Sequence, residues 1–421
     1  MTTNITRYPA LVNSLLYMQH LSSSFTLKNG TIISNRIVKS ATSEVLGTMK
    51  GAPTPTLINL YKRWAEGGAG LLITGNIMVD AKALGEPNNV VVEDKTHFEL
   101  LQTWAQAAAG TEAQIWTQIN HPGRQAIGLI NRKVVAPSAI RLKVGPMSSM
   151  FAKPKALGED EILDIIERYA TTAEILKEAG FPGVQIHGAH GYLVSQFLSP
   201  RMNIRTDKWG GSLENRARFV LEIYRKMRAK LGANYPIGIK INSADFQRGG
   251  FTEEESVQVI KMLSDEGIDM IEISGGTYEA PAMMFSKQST REREAYFIEY
   301  TKKARKVTDT PLMVTGGFRT AAAMEYTLAE GSLDLVGLAR PFILYPNFPK
   351  EMLNGTLEKV ELSVPKTGIK FVDERGLLEL GWYEQQLRRI GEGKEPKLTL
   401  SPLNVLTATT RSIIQKSFRK N

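Results

Sequence analysis

The 421-residue sequence contains no cysteine. That absence removes disulfide frameworks, thiolate metal centres, iron–sulfur clusters and cysteine nucleophiles together. Histidine is scarce, with five in all: His20, His97, His121, His187 and His190. No apolar run approaches the roughly 20 residues of a membrane span; stretches such as Gly70–Thr74 and Ile268–Ser274 are strand-sized. Residues Met1–Ser24 carry one Arg (Arg7) and a weakly apolar stretch broken by Asn13, so they read as an arm before the domain rather than a signal peptide. Acidic residues are the minority, 43 against 52 basic, for a net charge of +9. The basic residues are scattered, densest at Arg388–Arg389 and Arg411–Lys420, and no basic stripe interleaves with aromatics. A solvated surface with a basic tail accounts for this better than nucleic-acid binding. With 42% hydrophobic and 23% charged residues, the composition is that of a soluble globular protein, expected to be cytoplasmic with neither membrane nor nucleic-acid partner.

What is present is an alternation. Short, almost wholly apolar runs predict strands at Ile37–Ser40, Gly70–Gly75, Gln114–Asn120, Gly183–His187, Ile237–Asn242, Met270–Ser274, Leu312–Thr315 and Leu335–Leu338. Amphipathic windows between them predict helices at Thr56–Glu66, Phe98–Ala109, Asp160–Ala179, Leu213–Leu231, Thr252–Glu266, Arg291–Val307 and Thr320–Ala329. Thr252 followed by Glu255 is a capping box, and Ser212 marks another helix start. Strands without polar alternation are buried on both faces, as in parallel sheets. Eight such repeats over roughly 310 residues predict a (β/α)8 TIM barrel. A doubly wound sheet would want a Gly-rich turn after its first strand, where Ala41-Thr42-Ser43-Glu44 stands instead. The reading is an arm (1–24), a barrel (25–345) and a C-terminal extension (346–421) whose clearest feature is a helix at Gly381–Gly391. Residues 121 to 158, with Pro137, Pro146 and Pro154, form a long connection after the third strand, either a lid or a plain excursion.

Active sites of such barrels lie at the C-terminal strand ends. The fourth strand ends there in His187-Gly188-Ala189-His190-Gly191-Tyr192. Two imidazoles could hold an oxyanion, and a phenol could supply a proton. Gly316-Gly317 after strand seven and Ala339-Arg340 after strand eight suit a phosphate, held by backbone N–H groups and a guanidinium. Lys240 lies inside an apolar strand, where it either pairs with Glu272 across the barrel or faces an electron-rich ring. The amide of Gln118 is placed for paired hydrogen bonds. Two rival readings are a zinc hydrolase built on His121, His187 and His190, and a catalytically silent barrel that only binds.

Several runs match a known family: Asn35-Arg36-Ile37-Val38, Glu66-Gly67-Gly68-Ala69-Gly70-Leu71, His121-Pro122-Gly123-Arg124, His187–Tyr192 through Phe197-Leu198-Ser199-Pro200, Arg205-Thr206-Asp207 and Gly210–Arg216. From about Phe25 to Pro346 the chain resembles the Old Yellow Enzyme family, (β/α)8 FMN-dependent NAD(P)H oxidoreductases. The resemblance implies FMN as cofactor, NADH or NADPH as reductant, and a small-molecule α,β-unsaturated carbonyl substrate, and it leaves a homo-oligomer open. It implies that His187 and His190 hold the substrate carbonyl oxygen and that Tyr192 protonates carbon. It also implies flavin contacts from Ala41, Thr42, Ser43, Gly75, Gln118 and Lys240, and phosphate contacts from Gly316, Gly317, Ala339 and Arg340; no metal is implied. Three positions depart from the pattern: Lys240 stands where Arg is usual, Ser43 where Thr or Cys is usual, and Val45 where an aromatic is usual. Gly381-Trp382-Tyr383 and Glu392–Pro396 resemble the C-terminal extension of a fungal and bacterial subgroup.

Overall fold

Eight strands alternate with helices, and the sheet they form closes on itself. The structure is a computed structural model that describes residues 18–128, 130–131, 133–280, 297–362 and 377–400. The barrel strands are β1 (Ile37–Lys39), β2 (Leu71–Met78), β3 (Gln114–Asn120), β4 (Gly183–Gly188), β5 (Ile237–Asn242), β6 (Met270–Ser274), β7 (Leu312–Thr315) and β8 (Leu335–Leu338). Each pairs in parallel with the next, and β8 closes onto β1 with Val336 opposite Ile37. This is the (β/α)8 TIM barrel expected from the pattern. β1 and β4–β8 are buried at every position, because one face meets the barrel interior and the other the helices. β2 runs past its predicted end at Gly75, since a register shift between Ile73 and Asn76 absorbs extra residues and lets the ladder resume.

The helices that alternate with these strands are α1 (Pro55–Glu66), α2 (Phe98–Ala105), α3 (Glu159–Glu178), α4 (Leu213–Leu231), α5 (Glu253–Asp265), α6 (Ile298–Arg305) and α7 (Ala321–Ala329). Their starts follow capping chemistry: Thr54 Oγ1 accepts from Leu57 N–H ahead of Pro55, Ser212 accepts from Asn215 N–H, and Thr252 with Glu255 forms the predicted box. α2 ends sooner than expected, its last turn tightening into a 3₁₀ segment at Gln106–Ala108. Of the helix predicted over Arg291–Val307, residues 291–296 lie outside the described residues.

An antiparallel pair, Phe25–Thr26 with Ile32–Ile33, closes the barrel floor. Leu27 and Ile33 pack there with Val38, Leu71, Ile73, Trp116, Met270, Met313 and Leu335. Part of the predicted arm belongs to the barrel wall: Leu21 is fully buried, and the backbone N–H groups of His20 and Leu21 both donate to Glu325 of α7 at 2.8 Å. In the extension, helix α8 (Leu377–Gly391) lies across α1 and buries Trp382, Leu387 and Ile390. Gly391 touches α1 so closely that a Cβ would sit 2.2 Å from the Thr56 carbonyl oxygen. Among the described residues no helix is long and apolar enough to cross a membrane.

Candidate active site

Above the apolar floor the inward side chains turn polar and join across strands. Glu272 on β6 is fully buried. It accepts from Lys240 Nζ on β5 at 2.8 Å, Gln185 Nε2 on β4 at 2.8 Å and the Thr315 hydroxyl on β7 at 2.7 Å. Gln118 Nε2 on β3 donates to Gln185 Oε1 at 2.7 Å, and Ser40 meets Thr315 at 2.5 Å. Lys240 is therefore held in an ion pair with Glu272, which stands opposite it on the adjacent strand β6 rather than across the barrel, and it lies beside His187 on its other side.

β4 ends at Gly188, one residue past His187, and the turn after it puts His190 into left-handed backbone at φ 61°, uncommon for a residue with a Cβ. Asn242 Oδ1 accepts from the His190 N–H at 3.1 Å, a bond that supports this turn. The two imidazole centroids lie 5.2 Å apart, and the Tyr192 ring is 4.7 Å from that of His187. Ala189 N–H donates to His187 Nδ1 at 3.3 Å. An accepting Nδ1 places the ring proton on Nε2, so His187 is assigned as a donor through that atom. His190 Nε2 lies 2.8 Å from the Ser274 hydroxyl. Burial pushes both rings down, His190 to about 3, and the neighbouring Lys240 adds to it; for His187 the nearby His190 contributes as well. Both are uncharged at neutral pH.

Tyr192 is buried, and its phenol is held well above the usual range by that burial, then by Tyr278 and Glu86. Its hydroxyl lies 3.0 Å from that of Tyr278 in the loop after β6. Glu86 accepts from Ser43, and burial raises its carboxyl too. Neither Tyr278 nor Glu86 stands out in the sequence. The next residue, Glu279, is nearly buried and clasps Arg124 Nη2 at 2.8 Å while accepting from Lys143 N–H at 2.8 Å. This fastens the long connection after β3 to the β6 loop. The connection is further pinned by Arg205, whose Nη1 donates to the Pro137 and Leu157 carbonyls. His121 stands apart from the pair: its Nδ1 accepts from Gly123 N–H at 3.1 Å, and burial lowers it to about 4. Among the described residues no three His, Asp or Glu side chains group so as to hold a metal ion.

On the β1 side, Ala41, Thr42 and Ser43 form a loop held by a buried strut. Glu44 accepts from Lys39 at 3.4 Å, from Tyr61 and from Gly75 N–H at 3.0 Å. Gly75 has no room for a side chain, since a Cβ would meet Glu44 Oε2 at 2.0 Å and the Thr42 carbonyl at 2.5 Å. Val45 sits at φ 55°, a costly backbone for a β-branched residue that the surrounding loop must enforce.

Gly316 (φ 135°) and Gly317 (φ 90°) curl the backbone after β7, conformations that side chains rarely adopt. Gly337 of β8 stands opposite Thr315 on the adjacent strand, and a Cβ there would lie 2.0 Å from Thr315 Oγ1. Together with Ala339 and Arg340 these turns line a cavity of about 180 Å³, to which Arg319 and Leu362 also contribute. Arg340 Nη1 pairs with Glu379 of α8 at 3.2 Å, and the Tyr383 hydroxyl lies buried beside that guanidinium. Arg319, Glu379 and Tyr383 carry no local sequence signal for this role.

Comparison with known proteins shows the family and the fold. The family model described as NADH:flavin oxidoreductase / NADH oxidase family matches residues 21–358. The chain is 36% identical over 359 residues to the NADH-dependent flavin oxidoreductase iliE of Hypocrea jecorina, covering 79% of this chain and 89% of that one. The protein of the same name from a Neonectria species is 37% identical over 79% of this chain, which spans only 46% of that longer relative. Among solved structures, the Old Yellow Enzyme homologue from Zymomonas mobilis superposes with a TM-score of 0.69 at 24% identity, over 81% of this chain and 94% of its own, a likeness of fold.

Proposed function

The chain belongs to the NADH:flavin oxidoreductase / NADH oxidase family, and from that premise we propose that it reduces the activated C=C bond of α,β-unsaturated carbonyl compounds. Its cofactor is FMN, with NADH or NADPH as reductant. The barrel mouth suits that group. The Gly316–Gly317 turn offers backbone N–H groups beside Arg319 and Arg340, and the Tyr383 O–H beside them has no acceptor among the described residues. Gly75 and Gly337 let Glu44, Thr42 and Thr315 close on the backbone beside the site, where a Cβ would clash. Ala41, Thr42, Ser43, Gly75, Gln118 and Lys240 would hold the ring system, and Gly316, Gly317, Ala339 and Arg340 the phosphate.

When bound, FMN would supply the hydride-transfer chemistry that links a nicotinamide to an electron-poor carbon. The chain's own residues make that carbon electron-poor. His187, through Nε2–H, and His190 would both donate to the substrate carbonyl oxygen, drawing density from the conjugated double bond. Tyr192, kept protonated by its surroundings, would deliver a proton to Cα. Use of one site by reductant and substrate in turn predicts ping-pong kinetics. The observation that carries the reading is the pair of uncharged imidazoles with a protonated phenol 4.7 Å from one of them. Anaerobic rapid mixing tests it: NADH or NADPH should bleach the flavin, and an enone should then restore its absorbance. Failure of a panel of enones to reoxidise flavin that the nucleotide has reduced would overturn the substrate class.

A further inference from the structure

Helix α8 lies beyond the span that matches the family, yet two of its side chains reach the phosphate cavity. Glu379 in its first turn pairs with Arg340 Nη1 at 3.2 Å, with both partners about one-third exposed or less. One turn on, Tyr383 is 6% exposed, its hydroxyl is buried beside Arg340, Glu379 and Arg319, and its O–H has no acceptor among the described residues. A buried O–H without an acceptor is costly, and a ligand oxygen would relieve it. The helix cannot easily shift: Trp382 is fully buried, Gly391 abuts Thr56, and Arg63 of α1 reaches Glu395 just past its end at 3.0 Å.

We propose that α8 completes the phosphate seat, with Glu379 fixing the guanidinium of Arg340 and Tyr383 donating its hydroxyl hydrogen to the phosphate of FMN. Glu379 is then a positioning residue that acts through Arg340, and the C-terminal extension is a cofactor-retention element. The inference rests on the assignment of the phosphate to the β7 and β8 turns.

The test compares FMN with riboflavin, which has the same ring but no phosphate. Full-length protein freed of flavin is titrated with each, following flavin fluorescence. Tyr383→Phe and Glu379→Ala should each weaken FMN by about tenfold, the worth of one hydrogen bond to a charged group, and leave riboflavin unchanged. Glu379→Ala added to Arg340→Ala should weaken FMN no further, because the carboxylate acts only through that guanidinium. Equal loss for both flavins, no loss for either, or tighter FMN binding by Glu379→Ala would overturn the proposal; the last would make Glu379 a competitor of the phosphate. Riboflavin binding also reports that each variant is folded. If Arg340→Ala alone leaves the preference for FMN intact, the phosphate assignment itself fails, an outcome distinct from failure of the α8 variants.

Discussion

Replacing Lys240 by Met strikes the centre of the barrel. Lys240 is 3% exposed and Glu272 0%, with nitrogen and oxygen 2.8 Å apart. At an effective dielectric of about 20, two unit charges at the 2.8 Å separation attract by about 6 kcal/mol. Desolvation offsets part of that attraction, so the pair's net worth is small, but removing one partner strands the other. Lys240→Met leaves the Glu272 carboxylate with only the neutral donors Gln185 and Thr315, and should cost about 3–5 kcal/mol. Glu272→Gln leaves a buried ammonium and should cost a similar amount. The double replacement removes both charges and should recover to within about 2 kcal/mol of the parent. Urea unfolding of the flavin-free protein, followed by tryptophan fluorescence, measures all four corners of the cycle. Single variants within about 1 kcal/mol of the parent, or a double variant as unstable as the sum of the singles, would refute the mutual dependence of the two charges.

Tyr192→Phe should slow reoxidation of the flavin by an enone by about a hundredfold to ten-thousandfold and leave its reduction by nucleotide unchanged, both read by rapid mixing; if both halves are spared, another group supplies the proton. Burial holds His187 and His190 below the value of about 6.5 expected in the unfolded chain. The unfolded state therefore binds more protons, and their contribution to stability is full above about pH 6.5 and is lost as pH falls towards 3. Urea midpoints at pH 7 and pH 5 should differ more in the parent than in His190→Asn, and an equal difference would remove this histidine from the acid response. Gly337→Ala forces a Cβ to within 2.0 Å of Thr315 Oγ1 and should destabilise by about 1–3 kcal/mol while weakening FMN; a stable variant with parental FMN affinity would count against the tight packing of these turns. If Lys240 faces the flavin, Glu272→Gln should raise the flavin midpoint potential by roughly 30 mV, equivalent to about 1.4 kcal/mol for two electrons, measured by dye-coupled reduction.

The strands were legible because burial on both faces writes itself as an unbroken apolar run, and β3 and β5–β8 lie where those runs lie. β2 was misjudged at one end for a local reason: Thr74-Gly75-Asn76 looks like punctuation but is an irregularity inside a continuing strand. His187, His190 and Tyr192 could be picked out because six consecutive residues carry them. The Lys240–Glu272 pair could be anticipated because an ammonium in an apolar strand needs a partner on a neighbouring one. Tyr278, Glu86, Glu379 and Tyr383 could not, because each comes from a loop or an added helix and acquires its role only through contact with residues far away in sequence. Lys39 resembles Lys240 in sequence but pairs with Glu44 beneath the β1 loop, so a strand lysine does not by itself tell which side of the sheet it serves.

The clasp between Arg124 and Glu279 reaches further than its own two residues. Glu279 is bonded directly to the backbone of Tyr278, so the β6 loop cannot swing outward without drawing that phenol off Tyr192 or pulling the segment around Lys143 with it. The spacing of the two hydroxyls is thus inherited from an ion pair that touches neither of them. Lengthening or shortening that bond would retune the Tyr192 hydroxyl, the proton donor proposed above, from outside the pocket.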